Sequence, residues 1–451
     1  MNQPFKPRPK TSIDLPPVPA AGRPGPVAGL FVTALLAWLA PPAAGGETDR
    51  VSISSTGLEG NEASASPAIS RTGRFVAFWS AASNLVDDDG NGKWDIFVRD
   101  RKKETTTRVS VACSGIEGDG DSSLFVSISA NGRFVAFSSL SANLVAGDTN
   151  TVRDVFVHDR KKSRTTRVSV GRGGVQANGW SSNPSISASG RFVAFWSEAS
   201  NLVKNDTNQQ RDVFVHDLKR HRTKRVSVST AGLESNDECG PPSISANGRF
   251  VAFSSLASNL VRDDGNAAWD VFVRDRKKRK TRRVSVDSDG LEAADWSLSP
   301  SISRTGRFVS FESLASNLVQ GDSNDTWDVF VHDRKKRRTK RISIDSAGLQ
   351  ANERSMWSKI SANGRFVAFD SLASNLVQGD GNDTWDAFVH DRKKRRTKRV
   401  SVDSLGIESV AGGGAASISG NGRFVAFHSE STNLVETDRN NIDDVFVHDR
   451  K

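Results

Sequence analysis

SISANGRFVAFSS, residues 243–255, decides the fold of this chain. Four consecutive apolar residues, Phe250, Val251, Ala252 and Phe253, follow one another without alternation, so a strand here must bury both faces. The pair Asn247-Gly248 just ahead of it accepts the positive φ of a tight hairpin and joins this strand, b, to a short strand a over 243–245. Two further β-rich runs follow in the same copy, WDVFVRD (269–275) and RRVSVD (282–287), and give strands c and d. Near copies of GRFVAF recur along the chain. Their glycines are Gly73, Gly132, Gly190, Gly248, Gly306, Gly364 and Gly422, spaced 58 or 59 residues apart. A fixed period of this size indicates a repeat array or propeller. Four-stranded sheets buried on both faces are blades stacked between neighbours. The expectation is an all-β, seven-bladed β-propeller with four antiparallel strands per blade.

The phase of the repeat adds a closure. A lone strand-d run, RVSIS (50–54), precedes the first copy, and the seventh copy stops after strand c at VFVHDRK (445–451). An open ring would leave unpaired strand edges that template aggregation. The N-terminal run is therefore expected to complete the last blade.

The repeat SxSISxxGRFVAFxS…DVFVHDR resembles the TolB-type, WD-repeat-like propeller repeats of bacterial envelope and secreted proteins, over residues 48–451. The resemblance implies a propeller and carries little about function. It departs from TolB itself, with Asn, Thr or Ser before the turn glycine where Asp is usual, and with seven copies where TolB has six blades.

Residues 1–46 differ from the rest and hold 10 of the 15 prolines. Lys6, Arg8, Lys10 and Arg23 precede the apolar run GLFVTALLAWLA (29–40), and small residues follow at Ala43, Ala44 and Gly45. That order reads as a signal peptide or leader, with an apolar run too short for a comfortable membrane span. The division expected is leader 1–46 and one propeller 47–451, secreted or periplasmic, with no transmembrane segment in the mature chain. Cys113 and Cys239 occupy different places in their repeats, so no disulfide framework is expected.

The formal net charge is +10, unevenly spread. The c–d turns are basic, as in RKKRKTRR (276–283) and RKKRRTKR (334–341 and 392–399), whereas the b–c loops are acidic. In a four-stranded blade the a–b and c–d turns share one face of the disc and the b–c and d–a loops share the other. The expectation is a monomer with one strongly basic face that docks on a protein or on an anionic surface or polysaccharide. No aromatic residue interleaves the basic runs, so base stacking and nucleic-acid binding are not expected.

Each b–c loop carries D-x-N-x-x-x-D. The sets are Asp89, Asn91, Asp95; Asp148, Asn150, Asp154; Asp206, Asn208, Asp212; Asp264, Asn266, Asp270; Asp322, Asn324, Asp328; Asp380, Asn382, Asp386; and Asp438, Asn440, Asp444. Alternate oxygen-bearing side chains make these candidate Ca2+ ligands, to be completed by carbonyls and water. The competing reading is that Asp and Asn hold the loop through Asx-turns. The Asn of the preceding NLV (Asn84 and its six equivalents) is expected to bond to the same loop. Trp94, Trp269, Trp327 and Trp385 lie beside the last Asp, and Trp180, Trp296 and Trp357 precede strand a; they pack between blades or stack on sugars.

No nucleophile elbow is present. Five histidines, His158, His216, His332, His390 and His448, share one register far from the axis and in different blades, where they cannot share a metal. The protein is expected not to be an enzyme but an exported binding platform. The alternative is a glycan-active hydrolase or lyase, or a lectin-like binder, with Glu198, Glu312 and Asp370 the asymmetric acids after strand b.

Overall fold

The computed structural model describes residues 46–123 and 125–451. The expected signal segment 1–46 lies outside these apart from Gly46. The chain forms seven four-stranded antiparallel sheets, each in strand order a-b-c-d. Blade 4 is built from Ser243–Ile244, Phe250–Ser255, Asp270–Asp275 and Lys280–Arg283. Blades 1, 2, 3, 5 and 6 span 64–108, 127–167, 181–225, 297–341 and 355–399. Blade 7 takes strands a to c from Gly414–Ile418, Phe424–Ser429 and Asp444–Asp449, and its strand d from Thr48–Arg50. Thr48 pairs with His448, Asp49 with Val447 and Arg50 with Phe446, so the N-terminal strand closes the ring.

Strand d lies earlier than expected. It ends at Arg283 rather than running through 282–287, and the N-terminal strand is Thr48–Arg50 rather than 50–54. The cause is the serine after it. Ser285 accepts from the backbone N–H of Val271 and donates to Asp270, which draws the chain off the ladder. Val286 then bridges Glu292 across a tight turn, and every blade repeats that small hairpin.

The core lies between blades rather than within them. Ala252, Val271 and Val273 of blade 4 pack on Val309, Phe311 and Phe330 of blade 5, and Val445 and Val447 of blade 7 pack on Val76, Phe78 and Phe97 of blade 1. Each blade also stacks two buried phenylalanines, such as Phe311 and Phe330, with centroids 5.9 Å apart. The turn glycine is fixed twice over. Gly248 has φ +71, and a Cβ there would stand 2.2 Å from the Phe192 ring of blade 3.

Candidate functional site: arginine clasps, a basic face and a break in the repeat

The seven Asp/Asn loops share one framework. The last Asp is fully buried and accepts from the serine after strand d, as Asp270 does from Ser285 and Asp95 from Ser110. In six loops the Asn accepts from the backbone N–H two residues on, 2.8 Å for Asn91 and Lys93, which is an Asx-turn, whereas Asn324 Oδ1 is buried without a partner. The amide nitrogen donates to a d–a carbonyl in every loop, 2.9 Å from Asn91 to Gly118, and in five of them also to the last Asp, 2.9 Å from Asn91 to Asp95. The loop therefore presents N–H groups rather than an amide oxygen to its own carboxylates. The NLV asparagines bond elsewhere than expected. Asn84 Nδ2 donates to Glu59 O at 2.7 Å, tying the b–c loop to the segment before strand a, and Asn259 does the same to Glu234.

What gathers around the acids is a guanidinium from the far end of the basic c–d run, against the expectation that these runs lie wholly on the opposite face. The last residue of strand d is Arg50, Arg108, Arg167, Arg225, Arg283, Arg341 or Arg399. Its side chain points along the sheet to the acidic loop. Arg225 Nη1 lies 3.1 Å from Asp206, 2.9 Å from Asp212 and 2.7 Å from Glu234 of the d–a hairpin. Arg50 makes the equivalent contacts to Glu59, Asp438 and Asp444, so the ring-closing strand brings its own cation. Burial pushes Asp89, Asp154, Asp206, Asp264, Asp328, Asp380 and Asp438 up to about 6 despite the arginine. Among the described residues, three carboxylate clusters are close enough to hold a metal ion: Glu59, Asp438 and Asp444; Asp206, Asp212 and Glu234; and Asp380, Asp386 and Glu408. The glutamates that complete them were missed from sequence. Their signal was GLE or a near copy at a constant distance past strand d.

On the other face, two arginines serve structure in every blade but blade 3, where Leu218 stands in place of the second. Arg249 makes a two-pronged pair with Asp275 at 2.9 and 2.6 Å, and the pairing holds the Asp275 carboxyl below its usual range although burial opposes it. Arg276 reaches back over the Phe192 ring of the preceding blade, 4.8 Å from its centroid. The remaining bases are exposed: Lys277 to Lys280 in blade 4, Lys335 to Arg338 in blade 5 and Lys393 to Arg396 in blade 6. Between blades 3 and 4 lies a cleft of about 660 Å³ lined by Arg220, Arg222, Lys224, Lys277 and Arg279, with Asp217 among them. Burial first, and then Arg222, Arg276, Arg279 and Arg220, hold the Lys224 ammonium below its usual value.

The five register histidines are buried parts of a seam. His332 Nδ1 lies 2.9 Å from Thr339 Oγ1, and that hydroxyl donates to Val286 O of the preceding blade. Thr48 repeats the bond to Val402 O at 2.6 Å. Burial lowers all five imidazoles to about 4. Trp79 stacks on Trp94 at 3.5 Å and Trp357 meets Trp385 at 5.1 Å, while Trp180, Trp296 and Trp357 remain exposed.

The repeat breaks at one register, the residue after FVAF or FVSF. It reads Trp79, Ser138, Trp196, Ser254, Glu312, Asp370, His428 around the ring. Glu198 falls two positions later, on the exposed surface, and does not belong to this set. Glu312 accepts from the Trp357 N–H at 2.6 Å and from Ser299 at 2.8 Å, bracing the bulge of the next blade. Asp370 accepts from the Ala416 N–H at 3.2 Å, but its Oδ2 is buried without a partner, and burial pushes the carboxyl up to about 7. Gly414 leaves space beside it. A Cβ there would stand 3.7 Å from both Asp370 Oδ2 and His428 Cε1, so the two side chains face one another across the glycine.

No family model matches the chain, and no curated protein matches it. Solved propellers do. An oligogalacturonate lyase in complex with manganese is 12% identical over 91% of this chain and 99% of that one, with a TM-score of 0.54. The propeller domain of the Trilobed protease from Pyrococcus furiosus is 13% identical over 86% of this chain and 94% of that domain, with a TM-score of 0.50. TolB from Acinetobacter baumannii is 13% identical over 87% of this chain and 80% of its own, with a TM-score of 0.40. The lyase and the protease domain share the propeller fold with this chain. Among the described residues no helix is long and apolar enough to cross a membrane.

Proposed function

We propose that this chain is an exported, non-enzymatic TolB-type propeller that acts as an interaction platform, docking its basic face on an anionic partner. The observation that carries this is the contrast between the two faces. Every acidic loop of the seven blades has an arginine folded into it, whereas the c–d turns of blades 3 to 6 keep runs of exposed Lys and Arg beyond the arginines used in packing. Crowding like charges on one rim costs stability and is retained where a partner neutralises it. The basic leader followed by an apolar run supports export. Retention on immobilised heparin tests the reading. The chain should elute only at raised salt, and Lys335→Glu, Lys336→Glu and Arg337→Glu together should shift elution to much lower salt. Elution in the void at low salt would end it.

The carboxylate clusters give the platform a second cation chemistry. Calcium bound there would share carboxylates with the arginine, and a calcium titration followed by calorimetry tests it. A second reading, glycan-active chemistry, is favoured by Asp370 and His428 at the break in the repeat and by the fold likeness to the lyase. Incubation with oligogalacturonate, following the ultraviolet absorbance of an unsaturated product, tests it; no change with the parent chain removes that substrate.

A further inference from the structure

The free cations do not surround the disc evenly; they occupy one arc of its rim. Strand d is the outer edge of each blade, because the a–b turns form the inner ring, Ala130 N bonding to Ala188 O and Ala188 N to Ala246 O. Alternation along strand d gives its side chains two directions. In blade 3, Thr223 Oγ1 donates to Val170 O of the preceding blade. Its neighbours Arg222 and Lys224 instead line the cleft of about 660 Å³ shared with Lys277 and Arg279 of the following blade.

The third residue of strand d, which faces that cleft, is Lys224, Arg282, Lys340 and Lys398 in blades 3 to 6. It is Asp49, Thr107 and Thr166 in blades 7, 1 and 2. Between blades 7 and 1, Asp49 is paired with Arg101 at 2.7 Å. Between blades 2 and 3 the equivalent cleft, about 380 Å³, sets Cys113, Val145 and Thr166 beside Arg164 and His221. Across the arc, like charges meet at every seam. Burial first, then Arg338, and then Arg395 and Arg392 of blade 6 hold Lys340 below its usual value. Burial, then Arg396 and then Arg450 of blade 7 do the same to Lys398. Burial, opposed by Asp275 and aided by Arg282 of blade 4, lowers Arg334 of blade 5.

The acids beside the arc are mostly engaged. Asp217 and Asp275 hold Arg191 and Arg249 in two-pronged pairs. Asp287 and Asp345 accept from backbone N–H groups of their own turns, and Glu292 pairs with Arg283. Asp289 stands exposed at one turn tip.

We propose that this arc is a track for a linear acidic polysaccharide, which runs along the rim over blades 3 to 6 and turns its anionic groups into the clefts between them. The inference rests on the anionic-partner reading and names the partner. Repeated clefts of one sign match a polymer with repeated charge, and clefts engaged by one chain add to its affinity. The aromatic ring in the lining, Phe192, already stacks with Arg191 and Arg276, so a nucleic-acid base finds no ready platform.

Calorimetry with size-fractionated heparin tests it. The full chain is titrated with a tetrasaccharide, which fills one cleft, and with a fragment of about sixteen sugars, which crosses several. Lys224→Thr, Arg282→Thr, Lys340→Thr and Lys398→Thr are combined in one variant; Thr stands at this position in blades 1 and 2, so the fold tolerates it. A charge-matched control replaces Lys102, Lys103, Lys161 and Lys162, exposed in the turns of blades 1 and 2, by Thr. Both variants keep residues 1–46. The long fragment should bind about ten-fold or more tighter than the tetrasaccharide. The arc variant should lose about ten-fold or more of that affinity and show a flatter salt dependence, while the control stays within about two-fold of the parent. Heparin binding with no gain from length, or with equal losses in the two variants, overturns the track and leaves the anionic-partner reading standing. Double-stranded DNA of matched length binding tighter than heparin overturns the polysaccharide. No heparin binding even at low salt ends the track and the anionic-partner reading together.

Discussion

Replacing Arg50 by Met should destabilise the protein by about 3–5 kcal/mol near neutral pH, the usual cost of removing one partner from a buried ionic cluster. The magnitude follows from what Arg50 leaves behind. Its side chain is 6% exposed, and its guanidinium lies 3.1 Å from Asp444 and 3.6 Å from Asp438, which are 0% and 1% exposed, with Glu59 also in contact. It also donates to Thr437 O at 2.9 Å. Met keeps most of the stem packing and removes the charge, so three carboxylates face one another. Asp438 already stands at about 6 with the arginine present, because burial and Asp444 outweigh its pull. In the variant its carboxyl rises further. A carboxyl raised on folding binds its proton in the folded state first, so its destabilising effect is present above the folded value and relieved as pH falls through it. The loss should therefore be largest at about pH 7.5 and smaller at about pH 5. Urea unfolding of the full chain followed by circular dichroism reads it, with Arg283→Met as the comparison. Both variants lose a clasp, but Arg50 also lies in the three-residue strand that closes the ring, so its loss should be at least as large. Stability within about 1 kcal/mol of the parent at pH 7.5, or a loss that does not shrink at pH 5, would refute the view that the clasps hold the b–c loops.

Three further outcomes are expected. The five seam histidines are held neutral at about 4 against 6.5, so their contribution is lost as pH falls from about 6.5 towards 4, opposing the raised clasp aspartates. His332→Asn should flatten the acid side of a melting-temperature profile relative to the parent, and an unchanged profile would contradict the seam. Gly248→Ala forces a Cβ to within 2.2 Å of the Phe192 ring at φ +71, and should cost about 2–4 kcal/mol by chemical denaturation, from left-handed strain and overpacking together. Arg225→Met frees the Asp206, Asp212 and Glu234 carboxylates from their internal cation, so calcium should raise the melting temperature of this variant more than that of the parent; an equal response in both would show that the guanidinium and the metal do not compete.

Much of the architecture was legible because the repeat is strict. Phe250 to Phe253 could only be a strand buried on both faces, and the constant spacing of the turn glycines made that strand one of seven. The lone strand-d run at the front signalled closure, and its true register at Thr48–Arg50 was hidden. RVSVD looks as β-prone as any strand, and only the bond from Ser285 to Asp270 shows why the ladder stops at Arg283. The candidate site was half legible. The Asp and Asn positions and their Asx-turns could be read from spacing. The arginine that enters each cluster could not, because it sits at the end of a basic run and reads as one more charge on the turn.

Sequence alone determined the number of blades, the buried faces of strands b and c and the two-sided charge, since these depend on period and residue type along one chain. Tertiary structure decided which charges are spent and which remain free. Alternation along strand d sends Arg283 towards the acidic loop and leaves Lys280 in solvent. The curl of the hairpin onto the next blade seats Ser288 against Thr339, and Ser55 and Ser346 against Thr106 and Thr397. Both outcomes come from contacts between residues about fifty positions apart, or from opposite ends of the chain, and distance in space between such residues is not written in local pattern.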